Sequence, residues 1–243
     1  KIIDHISDIN LPYTDHARRY LLAEGLKPQT VIKTGSPMKE ILDFHMSKIL
    51  KSKILTHLKL NKKGYFLASI HREENVDFPK SLSILLKSFE QIVAYYKKPI
   101  IVSTHPRTVK QLKKQPKKNN SLIRFENPFG FFDYVRLQQE AFCVLSDSGS
   151  LTEEASILNF PAVMLREAHE RPEGMDETSV VMGGLSEQRI MDAIDLTCTH
   201  FQSKDRCFRI PSDYDVDNVS KKIVRIILSY TDYVNRFVWQ KNK

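Results

Sequence analysis

The sequence predicts an α/β protein built on a Rossmann-like parallel sheet. From Lys62 onward, short apolar segments of strand length alternate with longer segments of helical periodicity. The apolar segments are nearly continuous rather than alternating in polarity, which is typical of parallel strands covered by helices on both faces. Polar clusters follow most of these segments directly. Because ligands of such folds bind beyond the carboxyl ends of the strands, the clusters are expected to share one site.

The first three predicted strands are separated by two helices. The segment G-Y-F-L-A-S-I (64–70) has strand length, and in 79–96 apolar residues recur at the i, i+3 and i+4 spacing of a helix with one buried face. Residues 99–106 predict a second strand, 107–114 a short basic helix and 121–125 a third strand. The alternation of strand and helix is therefore regular in this half of the sheet.

The alternation continues through two more strands. G-F-F-D-Y-V-R-L-Q-Q-E-A (130–141) predicts a helix, and F-C-V-L-S (142–146) predicts the fourth strand. Another helix and the fifth strand are predicted at 151–159 and 161–166, and further helices at 186–201 and 217–230. The polar segments S-I-H-R-E-E-N, T-H-P-R, S-D-S-G-S and L-R-E-A-H-E-R-P-E follow the first, second, fourth and fifth strands. All four are expected to open on one rim of the sheet.

The first 37 residues have a pattern of their own. Strands at 6–13 and 31–35 around a helix at 14–25 predict a β-α-β fragment. We interpret residues 1–37 as the tail of an N-terminal Rossmann-like domain whose earlier part is missing. The rest is divided into a C-terminal nucleotide-binding Rossmann-like domain at 38–215 and a C-terminal helix at 216–243 that packs back toward the N-terminal domain.

The composition argues against several classes of protein. The net charge is +8, but the lysines, densest at 39–63 and 113–118, are not interleaved with aromatic residues. A solvated basic surface is therefore favoured over a nucleic-acid partner. No segment approaches about 18 consecutive apolar residues, and no signal peptide is evident, so no membrane association is predicted. Without CxxC spacing, Cys143, Cys198 and Cys207 indicate reduced thiols in a cytoplasmic protein.

The segment D-S-G-S-L-T-E-E-A (147–155) lies where the fourth strand leads into a helix. Ser148, Gly149 and Ser150 would present backbone N–H groups and hydroxyls at a helix N-terminus, which suits a phosphate. Alternatively, Ser150 and Glu153 have the spacing of a capping box, which would explain both residues without a ligand. The chain contains neither the dinucleotide fingerprint, nor the P-loop motif, nor a nucleophile elbow.

His71 directly follows the first strand and is a candidate general acid or base, because imidazole exchanges protons near neutral pH. The alternative is a structural histidine held by a carboxylate such as Glu73. The H-E-x-x-H motif is absent, and no metal site is predicted. Aromatic residues precede the fourth strand, and one of them could stack on a nucleobase: Phe129, Phe131, Phe132 or Tyr134.

Two arginines after the fifth strand are candidates for anion binding. Arg166 and Arg171 could each form a bidentate contact with a phosphate. The alternative is a loop of internal ion pairs with Glu167, Glu170 and Glu173. Composition alone favours neither interpretation.

Three motifs, taken together, resemble those of a known family. H-R-E-E-N (71–75), D-S-G-S-L-T-E-E-A (147–155) and E-R-P-E (170–173), in this order and spacing, resemble the non-hydrolysing UDP-N-acetylglucosamine 2-epimerases. The resemblance extends over essentially the whole chain. It implies the C-terminal half of a glycosyltransferase-B-like, two-domain epimerase that binds a UDP-sugar between its domains.

The resemblance also implies roles for individual residues. His71 matches the active-site histidine, and Glu154 matches the carboxylate that holds the ribose hydroxyls. Arg171 matches a diphosphate contact, and Tyr134 falls near the uracil site. Ser150 stands where the family usually has a second glycine in its phosphate-binding turn. The residues expected to bind UDP are Arg72, Tyr134, Ser148, Gly149, Ser150, Glu154 and Arg171.

The activity implied is removal of the C2 proton with loss of UDP, followed by return of both to give UDP-N-acetylmannosamine. The resemblance implies no cofactor, a homodimer, a role in polysaccharide biosynthesis, and catalytic carboxylates that lie mostly upstream of this chain. Residues 165–177 are similar to a branch that acts on a 6-deoxy UDP-amino sugar and gives UDP-N-acetyl-L-fucosamine. A UDP-sugar glycosyltransferase of the same architecture is a further alternative.

Overall fold

The structure is a computed structural model that describes residues 1–115, 120–202 and 206–241. Within these residues, a sheet of six parallel strands has the spatial order β3-β2-β1-β4-β5-β6. The order reverses between β1 and β4, which is the point where Rossmann-like folds bind ligands. The strands are β1 (Phe66–Ser69), β2 (Ile100–Ser103), β3 (Ile123–Glu126), β4 (Cys143–Ser146), β5 (Ala162–Met164) and β6 (Val181–Met182).

Helices connect and cover the strands. In the described parts of the chain they are α1 (Ile2–Ile6), α2 (Asp15–Ala23), α3 (Met38–Leu50), α4 (Ile54–His57), α5 (Glu73–Val76), α6 (Pro79–Tyr96), α7 (Pro106–Leu112), α8 (Phe131–Glu140), α9 (Ser150–Leu158), α10 (Pro172–Asp176), α11 (Glu187–His200) and α12 (Val219–Tyr233). A 3₁₀ turn forms at Pro28–Thr30 and a π-helical turn at Val234–Val238. None of these helices combines the length and apolar character needed to cross a bilayer.

The five strands predicted from the sheet region are confirmed. The structure contains one more strand, β6, which was not predicted. It contains two residues, too few for a periodic signal in the sequence. The two N-terminal strands predicted at 6–13 and 31–35 are wrong, because that region begins with α1 and contributes only one parallel bridge, between Asn10 and Val31. Pro12 lies in this short pairing and has no N–H to extend it. The predicted helix around 14–25 is present as α2.

The sheet is covered on both faces, as its apolar strands predict. Phe66 and Ala68 of β1 pack into one buried cluster with side chains of α6 and α11, whereas Leu67 packs into the other with side chains of α8 and α9. All three side chains are fully buried. Burying a large apolar side chain contributes about 1.5–3 kcal/mol, so these two layers fix the strands and the loops that follow them.

The chain divides into two compact units. One contains Lys1–Phe44 and Ile210–Lys243, and the other contains His45–Arg209 with the whole sheet. The divisions therefore follow Phe44 and Arg209, whereas the sequence placed domain ends at 37 and 215. Within the first unit, α12 packs on the N-terminal segment, where the Lys222 ammonium donates to the Thr34 carbonyl at 2.9 Å.

We expect Gly35→Ala to destabilise the first unit more than Gly25→Ala. Both glycines have a positive φ, +88° and +91°, so alanine strains both backbones. A Cβ on Gly35 would lie 2.7 Å from Cγ2 of Val216, whereas nothing lies within 4 Å of a Cβ on Gly25. Urea unfolding should give a loss of about 1 kcal/mol for Gly25→Ala and about 2–4 kcal/mol for Gly35→Ala. Equal losses would contradict the steric argument.

Candidate functional site

The polar segments predicted to share a rim do lie together. Ser69 at the end of β1 pairs with Ser103 of β2 on one side and Ser146 of β4 on the other. The loops that follow β1, β2, β4 and β5 form what we call the carboxyl-end rim. The His71 and His105 rings, from the first two loops, have centroids 6.0 Å apart. Segments that are far apart in the sequence therefore do lie close together at this rim.

Asp147 is the anchor of this rim. Its side chain is fully buried where β4 ends. Its Oδ2 accepts hydrogen bonds from the backbone N–H groups of His71 (3.0 Å) and Arg72 (2.9 Å), and from Nδ2 of Asn75 (3.0 Å). Asn75 also donates to the Leu165 carbonyl at 2.8 Å. One carboxylate thus holds the H-R-E-E-N loop against the ends of β4 and β5.

His71 is held by Asp147 and not by Glu73, so that part of the structural alternative is wrong. The imidazole Nδ1 lies 3.2 Å from Oδ1 of Asp147, and 36% of the His71 side chain is exposed. Glu73 points instead to Arg107, with 3.7 Å between the charged groups. His71 therefore has one ring nitrogen beside a buried carboxylate, while part of its side chain remains open to solvent.

The turn at 148–150 forms the N-terminus of α9, but the predicted capping box is absent. Ser150 is the first helical residue, Gly149 occupies the cap position, and no side chain accepts a hydrogen bond as a cap. The carboxylate of Glu153 contacts Arg171 instead, with 3.1 Å between Oε1 and Nε. The hydroxyls of Ser148 and Ser150 lie 3.0 Å apart at the mouth of the turn. The first turn thus offers N–H donors and hydroxyls to an anion.

Arg72 adds a cation to this turn. A Cβ built on Gly149 would lie 3.7 Å from Nη2 of Arg72, so the guanidinium sits beside the turn and a larger residue at 149 would press on it. The same Nη2 lies 3.4 Å from Oε2 of Glu170. A helix N-terminus and an arginine side chain favour negative charge at the same place.

The arginines after β5 form ion pairs with carboxylates of the chain. The Arg166 side chain is almost fully buried, and its Nη2 lies 3.1 Å from Glu74 and 3.2 Å from Glu170. The hydrogen bond from Arg166 is the main reason that the pKa of Glu170 is lowered. The predicted internal pairing is thus correct for Glu170, whereas Glu74 and Glu153, the other carboxylates paired with these arginines, lie in α5 and α9. Arg171 remains one-third exposed.

Two further predicted residues lie beneath the turn. Burial raises the pKa of Tyr134 of α8, while interaction with Ser69 and Ser146, where β1 and β4 end, acts to lower it. Glu154 of α9 is buried and accepts a hydrogen bond from Nε2 of Gln138 at 2.5 Å. Burial also raises the pKa of Glu154. The site is therefore polar below its opening as well as at its surface.

The raised pKa of Glu154 gives a pH-dependent prediction. Because folding favours the protonated carboxyl, the stability linked to Glu154 is complete below the ordinary pKa of 4.5 and is lost as pH rises through the folded-state value. Glu154→Gln should therefore unfold at a higher temperature than the parent chain at about pH 7.5 and at a similar temperature at about pH 4. Thermal unfolding followed by circular dichroism measures this. A stabilisation that is the same at both pH values would contradict the assignment to the Glu154 charge.

All the residues predicted to act in the site lie in the unit that contains the sheet, along the carboxyl-end rim or directly below it. They are His71, Arg72, Tyr134, Ser148, Gly149, Ser150, Glu154 and Arg171. Sequence reasoning missed the roles of Asp147 and Asn75. The only indication in the sequence was that both residues lie within the motifs at 147–155 and 71–75. In the described residues, no group of three or more His, Cys, Asp or Glu side chains could hold a metal ion.

Comparison with known proteins gives a consistent result. A family model described as UDP-N-acetylglucosamine 2-epimerase matches residues 1–228. The UDP-N-acetylglucosamine 2-epimerase of Methanococcus maripaludis is 34% identical over 202 residues, which are 80% of this chain and 55% of that protein.

Two solved structures extend the comparison to the fold. The UDP-N-acetylglucosamine 2-epimerase of Rickettsia bellii has a TM-score of 0.88 and 48% identity, over 99% of this chain and 64% of that one. The Methanocaldococcus jannaschii enzyme, solved in complex with UDP-GlcNAc and UDP, has a TM-score of 0.84 and 29% identity, over 93% and 62% of the two chains. The chain thus spans less than two thirds of each relative. The predicted Rossmann-like fold, as the C-terminal half of such longer proteins, is confirmed.

Proposed function

This chain belongs to the UDP-N-acetylglucosamine 2-epimerase family, and on that premise we propose that it supplies the nucleotide-binding half of an enzyme that inverts C2 of UDP-N-acetylglucosamine. The product is UDP-N-acetylmannosamine. One observation carries the proposal: the α9 N-terminus, the Arg72 guanidinium and the His71 imidazole meet on one rim, around the buried carboxylate of Asp147. Groups of this kind stabilise the negative charge on a departing diphosphate.

The diphosphate is assigned to the turn at 148–150. Backbone N–H groups and the hydroxyls of Ser148 and Ser150 contact its oxygens, and Arg72 and Arg171 balance its charge. The absence of a side-chain cap on α9 supports this, because no side chain caps the start of the helix. Ser150, which stands in place of glycine, contributes a hydroxyl that lies 3.0 Å from that of Ser148.

The nucleoside is assigned to the polar layer next to the turn. Glu154 accepts hydrogen bonds from the ribose hydroxyls, and Tyr134 lies toward the uracil. Glu154 already accepts a hydrogen bond from Gln138, so its carboxylate is oriented before the nucleotide arrives. Preorganised acceptors of this kind lose little free energy to reorganisation on binding.

The reaction has two halves. First a base removes the C2 proton while the bond from C1 to the diphosphate oxygen breaks, which leaves an unsaturated sugar and UDP. Then UDP returns to C1 and a proton returns to C2 from the opposite face. In this chain, His71, Arg171 and the α9 N-terminus stabilise the charge that develops on the diphosphate. The base is assigned to carboxylates outside this chain.

Several finer features belong to the same proposal. The enzyme is a homodimer in the cytoplasm, its product serves polysaccharide biosynthesis, and it needs no cofactor. Residues 1–37 belong to a second Rossmann-like domain, onto which the C-terminal helix packs. The relatives named above do not favour the 6-deoxy-sugar epimerase or the glycosyltransferase, so neither is carried forward.

The test is exchange of the C2 proton. A protein that carries this chain at the length of its relatives is incubated with UDP-N-acetylglucosamine in D₂O and followed by ¹H NMR. We expect loss of the C2 proton signal and growth of the mannosamine epimer. No exchange would refute the proposal. Activity confined to a 6-deoxy UDP-amino sugar would mean that this sugar, and not UDP-N-acetylglucosamine, is the substrate. Calorimetric titration of the 243-residue chain with UDP tests the nucleotide half separately.

A further inference from the structure

We infer that Asp147 is a positioning residue that fixes the tautomer of His71, with the ring proton on Nδ1 and the lone pair of Nε2 facing the substrate. The catalytic meaning of this inference rests on the function proposed above. The tautomer itself does not, because it is a property of the chain without substrate.

The first argument is the contact between the two side chains. Oδ1 of Asp147 lies 3.2 Å from Nδ1 of His71. A carboxylate has no proton to give, so its negative charge this close to Nδ1 favours the tautomer with the ring proton on Nδ1. Asp147 is fully buried while His71 is partly open to solvent. The ring therefore has a closed edge at Nδ1 and leaves Nε2 for the opening.

The second argument is that Asp147 cannot easily turn away. Its Oδ2 is held by the N–H groups of His71 and Arg72 and by the Asn75 amide. Its own backbone N–H donates to the Ser69 carbonyl at 3.2 Å, next to the end of β1. Oδ1 faces His71, 3.2 Å from its backbone nitrogen and 3.2 Å from Nδ1 of its ring. Holding the acceptor in this way holds the ring and its proton.

The third argument is the contrast with a neighbouring histidine. Nδ1 of His105 accepts a hydrogen bond from the backbone N–H of Arg107 at 3.2 Å. The neutral His105 ring therefore has its proton on Nε2, the reverse of His71. The two rings lie on the same rim with centroids 6.0 Å apart. Neighbouring environments on this rim thus select opposite tautomers, and only His71 is paired with a buried carboxylate.

The tautomer has a chemical consequence. Nε2 can take up one proton from solvent and then, as the imidazolium, give that proton to the departing diphosphate oxygen, while Nδ1 keeps its own proton beside Asp147. The charge that the ring gains in between is stabilised by the carboxylate. In the reverse tautomer, Nε2 would already have a proton and could not accept one. In a serine protease, loss of the corresponding aspartate charge lowers kcat about 10⁴-fold through the wrong tautomer.

The direct test is ¹⁵N NMR of the histidine-labelled chain, at a pH where the imidazoles are neutral. We expect His71 to have a pyrrole-type Nδ1 and a pyridine-type Nε2, and His105 to have the reverse, so each ring serves as the reference for the other. Spectra of His71→Asn and His105→Asn assign the signals. A proton on Nε2 of His71 would overturn the inference, whatever the activity of the enzyme.

Two variants test the role of Asp147. Asp147→Asn removes the charge at similar size, and we expect His71 to move to the Nε2-protonated form. Asn75→Ala loosens the same loop but keeps the carboxylate beside His71, and it should keep the Nδ1 proton. In an enzyme that carries this chain, Asp147→Asn should lower kcat by about 10²–10⁴-fold with KM changed less than about threefold.

The outcomes separate the two proposals. A wild-type enzyme that fails to epimerise while His71 has its proton on Nδ1 refutes the proposed function and leaves the positioning role of Asp147 standing. An Asp147→Asn variant that keeps both the tautomer and kcat overturns that role. If Asp147→Asn does not fold, the wild-type spectrum and the Asn75→Ala spectrum still decide the tautomer.

Discussion

His71→Asn is expected to lower the turnover of an enzyme that carries this chain by about 10²-fold or more, the size typical of losing one acid–base or charge-stabilising group. Asparagine is the informative replacement because its amide nitrogen can take the place of Nδ1 beside Asp147. The polar contact with Asp147 and the backbone hydrogen bonds that hold the loop are thereby retained, while the atom corresponding to Nε2 is removed. The measurement is kcat for C2 epimerisation, together with a urea unfolding curve.

The control for this variant is His57→Asn. His57 ends α4, is exposed, and lies on a segment that precedes β1, away from the carboxyl-end rim. We expect its turnover to stay within about twofold of the parent enzyme, because surface substitutions away from a site have small effects. Full activity in His71→Asn, with normal stability, would remove His71 from the mechanism.

Arg171→Ala is expected to weaken UDP binding by about 1.5–3 kcal/mol, the range for a hydrogen bond to a charged group. It should also lower the free energy of unfolding, because Glu153 is almost fully buried and would lose the cation that lies 3.1 Å from its carboxylate. Calorimetric titration with UDP and urea unfolding measure the two effects on the same sample.

Two further variants separate these effects. Arg107→Ala removes a cation of the same rim whose nearest carboxylates, at 3.7 and 3.9 Å, are those of Glu73 and Asp77. It should change the UDP affinity by less than about 0.5 kcal/mol. Glu153→Gln removes the ion pair but keeps Arg171. If Glu153→Gln weakens UDP binding as much as Arg171→Ala does, then Arg171 acts only through Glu153 and has no direct contact with the diphosphate.

Much of the sheet could be predicted because its signals are local. Continuous apolar strands and the one-sided periodicity of α6 lie within single segments, and tertiary packing does not override them. The failures lie where local signals are weak. The strands expected at 6–13 and 31–35 are apolar enough, but Pro12 interrupts one of them and only the Asn10–Val31 bridge forms. β6 is too short to leave a pattern.

The candidate site could be predicted in outline and not in its internal contacts. The rule that loops at the carboxyl ends of parallel strands meet was sufficient to bring His71, Arg72 and the 148–150 turn together. It could not say which carboxylate holds which base. Glu73 and Glu153 were assigned to their neighbours in sequence, whereas the structure pairs Glu153 with Arg171 and replaces Glu73 by Asp147 beside His71. The register of the sheet determines which carboxylate lies beside which basic side chain.

The contacts that form this site also determine when it can exist during folding. The bond between the His71 backbone and Asp147 spans 76 positions, and the contact between Arg72 and Glu170 spans 98. Long loops must close before such contacts can form, and contacts of this range slow folding. Affinity for nucleotide is therefore expected to return late in refolding, after the central strands have docked. A fluorescent UDP analogue added during refolding would report completion of the native state, and not the earlier formation of helices.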